Sequence, residues 1–562
     1  MLRSLAFLCF AAVPALAQTV LQPLRASELV PSVGGKWAGP FWPPIAASGE
    51  LTHALYVPPN DAGGSPVGQV FFVANQYRNC NVTFDPNAHS LVWAWDPANP
   101  NAIASLQHVP NTQREELWCS GHAIAPNGDL WSFGGTDLTQ PCYFGSSGVF
   151  RWSPASAWQA VGSLDPLAPR WYPCAIEMGT PTGSQFLVLG HEQRPIGPEE
   201  THQILDLASG TASPLFFNIV ADAACQPGAA RARFMGYPWT HWLAAGAPFV
   251  SGPLETEKYY GCAAPNGSFR WQRAPSAARM REAGNSLHFL DWLPSGREES
   301  IYLIGGLSSF LGPGAKSGAA DWYVLDSMES IRAPAPNSSA NWQNEPSLRF
   351  NRRHAVSVQT PDGDFIVVGG IGWTGPSNPG GSMVARTTPE HYDRAHARWT
   401  SLNPQAVPRS YHSLALLLRD GRILSAGGVL DPGHSVEIFS PPYLFRGPRP
   451  TVVTAPSALG YCNGAPCGSF TLTVDLGAAD DPVQKVSLLR PASVTHGFDQ
   501  NQRFVELPIQ ASSQPDPVNL PLRWDLQVAL PDDWNVAPPG WYLLFAVSRL
   551  GIPAIGEYVR IR

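Results

Sequence analysis

The fold of this chain is decided by the stretch Arg409–Gly428, which reads RSYHSLALLLRDGRILSAGG. Two apolar runs, Leu414–Leu418 and Ile423–Ala426, predict β-strands, and the Asp-Gly within Arg419–Arg422 predicts the tight turn between them. The second strand runs into the pair Gly427–Gly428. The stretch therefore predicts a β-hairpin that ends in a diglycine.

The same unit recurs along the chain at intervals of about sixty residues. Full or degenerate diglycines mark the copies, at Gly134–Gly135, Gly190, Gly246, Gly305–Gly306 and Gly369–Gly370. Several copies close on an aromatic-rich strand, as in Val149–Trp152, Trp322–Val324 and His391–Asp393. A long repeat of four strands with a diglycine is typical of a kelch β-propeller. An opening unit near Leu51–Trp95 brings the expected number of blades to seven.

A smaller domain is expected after the last repeat. Four prolines stiffen the boundary, at positions 441, 442, 448 and 450. Short alternating strands follow at 469–474, 486–489, 503–507, 526–530, 541–547 and 558–561. Their number and length suit an immunoglobulin-like sandwich. We therefore predict an all-β fold, with a seven-bladed kelch-type propeller over residues 18–444 and a C-terminal β-sandwich over residues 445–562.

The N-terminus predicts export. Met1–Ala17 combines Arg3 with an apolar centre and the small-residue cleavage pattern Ala15-Leu16-Ala17. The mature chain is expected to begin at Gln18 and to be secreted and extracellular. Three sequons permit glycosylation, at Asn81, Asn266 and Asn337.

Composition limits the partners that this chain is expected to bind. The 562 residues carry a net charge of −7, and only 14% of them are charged. Because no basic cluster is present, nucleic acid and an anionic membrane surface are not expected partners. No apolar run after the signal is long enough to span a bilayer. We expect a monomer that acts on small or neutral molecules.

Cysteine usage fits an oxidising compartment. Eight cysteines remain after loss of the signal, at positions 80, 119, 142, 174, 225, 262, 462 and 467. Eight would allow four disulfides. Cys462 and Cys467 flank a short loop and are the expected local pair, whereas the sequence alone does not pair the other six.

Tyr411 and His412 stand side by side at the head of the quoted hairpin. Adjacent side chains of a regular strand point to opposite faces. If both serve one site, they must therefore precede the regular strand, at the entrance of a blade. The alternative is a tyrosine packed in the core beside a polar histidine on the rim.

Four motifs along the chain resemble those of the copper radical oxidases, the family of galactose oxidase and glyoxal oxidase. In chain order they are LWCSGH at 117–122, PRWYP at 169–173, RSYHS at 409–413, and SVTH at 493–496 with Gln502-Arg503 downstream. The resemblance covers nearly the whole mature chain. The short distance from the signal to the first repeat is more similar to the glyoxal oxidase branch.

The resemblance implies one copper ion per chain and a ligand set for it. Tyr411, His412 and His496 match the family's copper ligands, and Tyr172 matches its equatorial tyrosine. Cys119 matches the cysteine that is joined to this tyrosine through a thioether. The implied catalytic residues are therefore Cys119, Tyr172 and Tyr411, with the Cys119–Tyr172 pair as a radical cofactor derived from the protein itself.

These residue types suit the implied chemistry. Imidazole and phenolate are good ligands for Cu(II), which has the highest affinity among the divalent first-row metals. Oxidising an alcohol or aldehyde removes two electrons, whereas one copper ion accepts only one of them. A ligand tyrosine held as a radical would accept the other. A thioether on that tyrosine would spread the unpaired electron onto sulfur. Tyr411, as a bound phenolate, would accept the proton of the substrate.

Each of these residues also has an ordinary structural interpretation. Cys119 can be half of a disulfide with Cys142, Tyr172 can be an aromatic packed at a strand start, and His496 can lie on the surface of a loop. His122 follows the cysteine motif, and the sequence assigns it no role. If Cys119 forms a thioether, seven cysteines remain, so at least one of them has no intramolecular disulfide partner.

The expected substrate is a small aldehyde of the glyoxal type or a primary alcohol, oxidised by dioxygen with release of hydrogen peroxide. A peroxidase that uses this peroxide is an expected partner. Three residues are candidates for stacking on Tyr172, namely Trp239, Trp242 and Trp373. The alternatives are a non-catalytic secreted kelch protein that binds glycans or matrix partners, and a propeller hydrolase or lyase. A dense carboxylate cluster, which the last of these would need, is absent from the sequence.

Overall fold

A computed structural model describes most of the chain after the N-terminal region. The described residues are 29–42, 51–74, 90–101, 105–109, 115–137, 144–190, 200–253, 257–309, 322–374, 382–431, 434–462 and 467–562. The predicted signal peptide, Cys80, Cys142 and the sequon at Asn81 lie outside these ranges. Within them the chain is nearly all β. The helices of this part are one α-helical turn, Pro31–Gly34, and the 3₁₀ turn Pro442–Phe445.

The quoted hairpin forms as predicted. Strands Ser413–Leu417 and Ile423–Gly427 pair antiparallel, with Ser413 opposite Gly427. The diglycine has a physical reason, because both residues have positive φ, 65° at Gly427 and 98° at Gly428. A Cβ at Gly427 would also lie only 2.7 Å from the carbonyl oxygen of Leu51. A side chain would fit neither the conformation nor the space.

This hairpin belongs to a sheet assembled from two distant parts of the chain. Its outer neighbour is Val436–Ser440, which in turn pairs with the N-terminal strand Lys36–Phe41. The Trp37 indole N–H also donates to the Asn403 carbonyl at 2.8 Å. The first described strand therefore completes the sheet that contains the last repeat.

Residues 51–401 supply strands to six further sheets. The first of these sheets also contains Ser493–Thr495 and Phe498–Asp499, and the fifth also contains strands of the C-terminal region. The first contains Leu51–Tyr56, Val70–Ala74, Ser90–Trp95 and Ser105–Val109. The second contains Gly121–Ile124, Leu130–Phe133, Gly148–Ser153 and Ala157–Ser163. The third contains Cys174–Glu177, Gln185–Leu189, Thr201–Asp206, Thr211–Ala212 and Phe216–Phe217.

The remaining sheets of this region follow the same order. The fourth contains Ile219–Ala221, Pro227–Arg231, Trp239–Trp242, Pro248–Gly252, Lys258–Ala263 and Phe269–Ala274. The fifth contains Asn285–Leu293, Gly296–Ile304, Met328–Arg332 and Gln343–Glu345. The sixth contains Arg353–Gln359, Phe365–Trp373, Met383–Ala385, Glu390–Asp393 and Arg398–Ser401. Two short pairs join Glu115–Glu116 to Thr136–Asp137 and Leu307–Ser309 to Trp322–Val324.

The C-terminal region forms one sheet of its own and extends the first and fifth sheets of the preceding region. Its own sheet contains Thr451–Thr454, Ser469–Asp475, Ile509–Ser513 and Arg523–Ala529. The fifth sheet is extended by Ala458–Leu459, Val483–Leu489, Phe504–Leu507, Gly540–Ser548 and Glu557–Ile561. Apolar side chains from both sheets share one buried cluster. The two regions are thus joined by continuous strand pairing, through Phe504 opposite Phe289.

Four buried arginines repeat one contact that the sequence analysis did not identify. Each donates from its guanidinium to the carbonyl of a glycine at 3.0–3.1 Å, in the pairs Arg170–Gly190, Arg281–Gly305, Arg352–Gly369 and Arg409–Gly427. Three of them also pair with buried glutamates, Glu329, Glu390 and Glu437 respectively. In each of these four repeats, the glycine that follows the hairpin therefore accepts a hydrogen bond from the arginine that precedes the hairpin's first strand.

Two disulfides are described, Cys225–Cys262 and Cys462–Cys467. The second confirms the local pair expected from the sequence. Cys174 is buried at the start of a strand, and burial raises the pKa of its thiol to about 12. The alternative pairing of Cys119 with Cys142 falls partly outside the described residues.

Candidate metal centre

Four of the predicted site residues meet at one point, although three separate parts of the chain supply them. The phenol oxygens of Tyr172 and Tyr411 are 2.5 Å apart. The His496 ring centroid lies 4.7 Å from that of Tyr172 and 4.5 Å from that of His412. The Tyr411 and His412 ring centroids are 3.7 Å apart. Two phenols and two imidazoles therefore converge.

Backbone conformation explains how adjacent residues reach one site. Tyr411 and His412 precede the strand Ser413–Leu417, and His412 has φ 66°. This left-handed conformation breaks the alternation of a regular strand. Both residues therefore precede the regular strand, as the sequence analysis required if they serve one site. The alternative of a core tyrosine beside a rim histidine is wrong, since His412 is 3% exposed while Tyr411 is only partly buried.

Cys119 lies directly beside Tyr172. The Tyr172 backbone N–H donates to the Cys119 carbonyl at 2.9 Å. Both side chains are buried in one small cluster with Trp171 and Tyr237. The family resemblance paired these two residues, which are 53 positions apart in the chain and lie side by side in the fold.

Left-handed backbone is concentrated at this point. Five non-glycine residues near the site have φ between 50° and 66°, namely Cys119, Tyr172, His354, His412 and His496. Each such residue costs about 1–3 kcal/mol and persists only where the surrounding structure enforces it. Such strain is typical of functional sites, because it orients side chains that relaxed backbone would point elsewhere.

Two aromatic rings stack on the ring of Tyr172. Trp171 stacks on it with centroids 3.9 Å apart, and Tyr237 stacks with centroids 4.7 Å apart. The Tyr237 hydroxyl donates to the Ser120 carbonyl at 3.0 Å, which fixes that ring. The stacking candidates named from the sequence do not have this role. Their described contacts lie elsewhere, with Phe498 for Trp239, Asn535 for Trp242 and Asn351 for Trp373.

His496 is oriented as a metal ligand would be. Its Nδ1 lies 2.7 Å from the Thr495 hydroxyl, which itself donates to the Thr52 carbonyl at 2.9 Å. The hydroxyl therefore accepts the Nδ1 proton, and Nε2 carries the free lone pair. The Nε2 atom is buried, and no hydrogen-bond partner for it occurs among the described residues. Burial, followed by the nearby His412 and His53, lowers the pKa of His496 well below its usual value. The ring is consequently neutral. Because its Nε2 is buried, the surface position considered from the sequence is wrong.

Two buried histidines behind Cys119 were not predicted to act in the site. The Cys119 backbone N–H donates to His53 Nε2 at 3.2 Å, and His53 Nδ1 lies 2.9 Å from His122 Nε2. His122 Nδ1 makes a short hydrogen bond to the Ser493 hydroxyl. Burial, and then the neighbouring His122 and His412, lower the pKa of His53, and burial lowers the pKa of His122 to about 3. Both rings are neutral, and His53 holds the Cys119 backbone while His122 holds the ring of His53.

A segment of the C-terminal region, residues 490–503, carries His496 into the site. We call it the inserted segment. Its strand Ser493–Thr495 pairs with Leu51–Tyr56 of the first sheet, and a Cβ at Gly497 would lie 2.6 Å from the Ala355 carbonyl of the sixth sheet. Arg490, at its base, makes a buried ion pair with Glu177 of the third sheet. The segment is therefore anchored to several sheets at once.

The donor set fits copper. Two imidazoles and two phenols are nitrogen and oxygen ligands of the kind that Cu(II) prefers, and the buried, unpartnered Nε2 of His496 is one such donor. No group of three or more His, Cys, Asp or Glu side chains arranged for a metal ion occurs in the described part of the chain. A centre that takes half of its ligands from tyrosines is consistent with that finding.

In the described ranges, no helix has the length and apolarity required to cross a membrane.

Comparison with known proteins gives a consistent picture. The family model "Galactose oxidase-like, Early set domain" matches residues 449–561. The chain is 24% identical to a galactose oxidase of Gibberella zeae over 91% of this chain and 70% of that protein. It is 25% identical to the aldehyde oxidase GLOX of Vitis pseudoreticulata over 85% of this chain and 86% of that protein.

A solved structure shares the fold. It is a fungal alcohol oxidase of the AA5 family, in complex with copper, and it superposes with a TM-score of 0.69 at 20% sequence identity. The match covers 94% of this chain and 99% of that chain. The resemblance of the four motifs and the similarity of the whole fold therefore point the same way.

Proposed function

We propose that this chain, which belongs to the copper radical oxidases, the family of galactose oxidase and the aldehyde oxidases, is an oxidase of a small glyoxal-type aldehyde or a primary alcohol. The reaction would consume dioxygen and release hydrogen peroxide. The observation that carries this proposal is the convergence of the Tyr172 and Tyr411 oxygens beside His412 and His496. A binding protein without catalysis would have no need of this arrangement.

The proposed architecture is a seven-bladed kelch-type propeller followed by a C-terminal β-sandwich. Support comes from the six sheets of residues 51–401 and the seventh sheet, which the N-terminal strand completes. The shared core of the C-terminal sheets supports the second domain. In this arrangement the inserted segment enters along the axis where the first strands of the blades meet.

The proposed metal ligands are Tyr172, Tyr411, His412 and His496, holding one copper per chain. The copper would accept one electron per turnover and bring substrate and dioxygen together. His496 would bind through Nε2, which is the atom that its hydrogen bond to Thr495 leaves available.

Tyr411 is the proposed base. Its oxygen is 2.5 Å from the oxygen of Tyr172, and its side chain is partly exposed, so a substrate can approach it. His354 lies against its ring with centroids 5.1 Å apart and, being neutral, adds no charge there. A phenolate at Tyr411 would accept the hydroxyl proton of an alcohol or of a hydrated aldehyde.

Tyr172 is proposed to hold the radical, modified by a thioether to Cys119. Its neighbours support that role, since the rings of Trp171 and Tyr237 stack on it and its side chain is buried. The backbone hydrogen bond between Cys119 and Tyr172 keeps the two residues adjacent.

The experiment that tests the function is a screen for peroxide release. Copper-loaded protein should release hydrogen peroxide with at least one of glyoxal, methylglyoxal, galactose, glycerol or benzyl alcohol. The Tyr411→Phe variant is the matched control and should release almost none. Equal release from both proteins would exclude catalysis at this site. We propose further that the protein is secreted, acts as a monomer and supplies peroxide to a peroxidase.

A further inference from the structure

Gln500, in the inserted segment, joins the two chain segments that carry Cys119 and Tyr172. Its side-chain oxygen accepts the backbone N–H of His122 at 3.0 Å and lies 3.5 Å from the backbone N of Ala175. Its amide nitrogen lies 3.5 Å from the Pro173 carbonyl. The residue is 5% exposed. His122 is three positions beyond Cys119, and Pro173 directly follows Tyr172.

The amide orientation is determined by these partners. An oxygen facing two N–H donors and a nitrogen facing a carbonyl is the arrangement in which every group is matched. Turning the amide by 180° would set its NH₂ against both backbone donors. An apolar side chain of similar size could not replace Gln500 here, because it could not form hydrogen bonds with both backbone segments.

The two segments are close enough for a single side chain to set their separation. At the site, the Tyr172 N–H donates to the Cys119 carbonyl at 2.9 Å. Immediately beyond, a Cβ at Gly121 would lie 2.7 Å from the Pro173 carbonyl, so only glycine allows this approach. Further along both segments, the side-chain oxygen of Gln500 contacts the backbone N–H groups of His122 and Ala175. The backbones are therefore held together by the residues that closely follow Cys119 and Tyr172.

We propose that Gln500 is a positioning residue for the Cys119–Tyr172 thioether, which makes this inference rest on the proposed function. Thioether formation joins the Cys119 sulfur to a ring carbon of Tyr172, with loss of the thiol hydrogen and one ring hydrogen. The two electrons and two protons pass to dioxygen, which becomes hydrogen peroxide. Gln500 touches none of these reacting atoms and acts on the backbones that carry them.

Positioning controls the rate of such a step strongly. Bond formation between two held groups requires the reacting atoms at near-contact distance, and a misplacement of about 1 Å can cost about 10²-fold in rate. Loss of Gln500 would leave the N–H of His122 and of Ala175 without their acceptor, so the segments would shift to find other partners. We expect thioether formation to slow by about tenfold to a hundredfold.

Gln502 provides a matched control within the same segment. Its side-chain oxygen accepts the His288 N–H at 3.0 Å, and its amide nitrogen donates to the Ser286 carbonyl at 3.0 Å. The residue type and bonding pattern are the same, but the partners lie in the fifth sheet, which supplies no site residue. Damage to the inserted segment in general would therefore appear equally in both variants.

The test follows the thioether directly. Copper-free wild type, Gln500→Leu and Gln502→Leu receive one equivalent of copper in air, and samples are reduced, alkylated, digested and analysed by mass spectrometry over time. Bound copper is measured in each sample. The expected result is slow appearance of the joined Cys119–Tyr172 peptides in Gln500→Leu alone, at equal copper content. The pair Gln500→Asn and Gln502→Asn, which keeps the amide and shortens its reach, repeats the comparison if a leucine variant does not fold.

Each outcome decides the matter. Equal rates in the wild type and both Gln500 variants would overturn the positioning role, and so would equal slowing in the Gln500 and Gln502 variants. A wild type that never forms the joined peptide would instead overturn the proposed cofactor, which is a different failure.

Discussion

The hydroxyl oxygens of Tyr172 and Tyr411 lie 2.5 Å apart, although 239 positions separate the two residues in the chain. At this distance one of the two phenols donates a hydrogen bond to the other. The two tyrosines have different surroundings. Tyr172 is buried and carries the stacked rings of Trp171 and Tyr237, whereas Tyr411 is partly exposed. This asymmetry supports the proposed roles, in which Tyr172 holds the radical and Tyr411 transfers the proton.

Tyr411→Phe should abolish most activity without unfolding the protein. Loss of a positioned general base lowers kcat by about 10²- to 10⁴-fold. The Cys119–Tyr172 thioether should still form, since Tyr411 contributes neither of its atoms. Steady-state peroxide release and peptide mass spectrometry measure the two effects. Tyr461→Phe is the control, because it removes a phenol hydrogen bond in the C-terminal region, to the Ala537 carbonyl. It should retain near-normal kcat, and comparable losses in both variants would refute the role of Tyr411.

Thr495→Val should weaken copper binding while leaving the ligands in place. The substitution keeps the branched shape and removes the acceptor that fixes the His496 Nδ1 proton. Loss of such an outer partner typically costs about 10- to 100-fold in metal affinity. Competition with a copper chelator measures the change. Thr495→Ser retains the hydroxyl and should bind copper as the wild type does; a valine variant with wild-type affinity would contradict this account of His496.

Tyr237 should stabilise the Tyr172 radical through its ring. Tyr237→Leu removes the stacked ring, a contact of the kind worth about 0.5–1.5 kcal/mol beyond the area that it buries. The radical should therefore decay faster in the leucine variant, as followed by electron paramagnetic resonance of oxidised protein. Tyr237→Phe keeps the ring and loses only the hydrogen bond to Ser120. Its radical should decay at close to the wild-type rate. Equal decay in all three proteins would show that the stack has no such effect.

Arg352→Met should destabilise the fold. Arg352 forms a 2.5 Å ion pair with Glu390, and both side chains are essentially unexposed. Removing one partner of a buried pair leaves the other charge uncompensated and costs about 3–5 kcal/mol. Chemical denaturation measures this loss in the free energy of unfolding. Adding Glu390→Gln to the same chain should recover part of it, and a double variant less stable than the single one would argue against the ion pair as the cause.

The sequence predicted the hairpin at Ser413–Gly427 and the repeat to which it belongs because both depend on local signals. Two apolar runs, an Asp-Gly turn and a diglycine are readable within twenty residues. The repeated arginines carry a signal of the same type that was overlooked. Arg281, Arg352 and Arg409 each precede the first strand of a unit, and each donates to the first glycine of that unit's diglycine.

The site was predicted only through its resemblance to a family, and its outer contacts were not predicted at all. His53 lies within the strand Leu51–Tyr56, where nothing in the local pattern distinguishes it from a core position. Its partners Cys119 and His122 are 66 and 69 positions away. Gln500 bonds residues more than three hundred positions distant. Contacts of this range follow from the packing of sheets and leave no periodic trace in the chain.

Detection of the proposed thioether between Cys119 and Tyr172 is the most direct test of the proposed radical mechanism. Mass spectrometry of reduced, alkylated digests of copper-loaded, active protein should show the two peptides joined, with a mass lower by two hydrogens. Cys119→Ser should keep the fold and most of the copper affinity, lose most activity and yield no joined peptide. A fully active sample in which Cys119 is freely alkylated and Tyr172 lies in an ordinary peptide would contradict the mechanism.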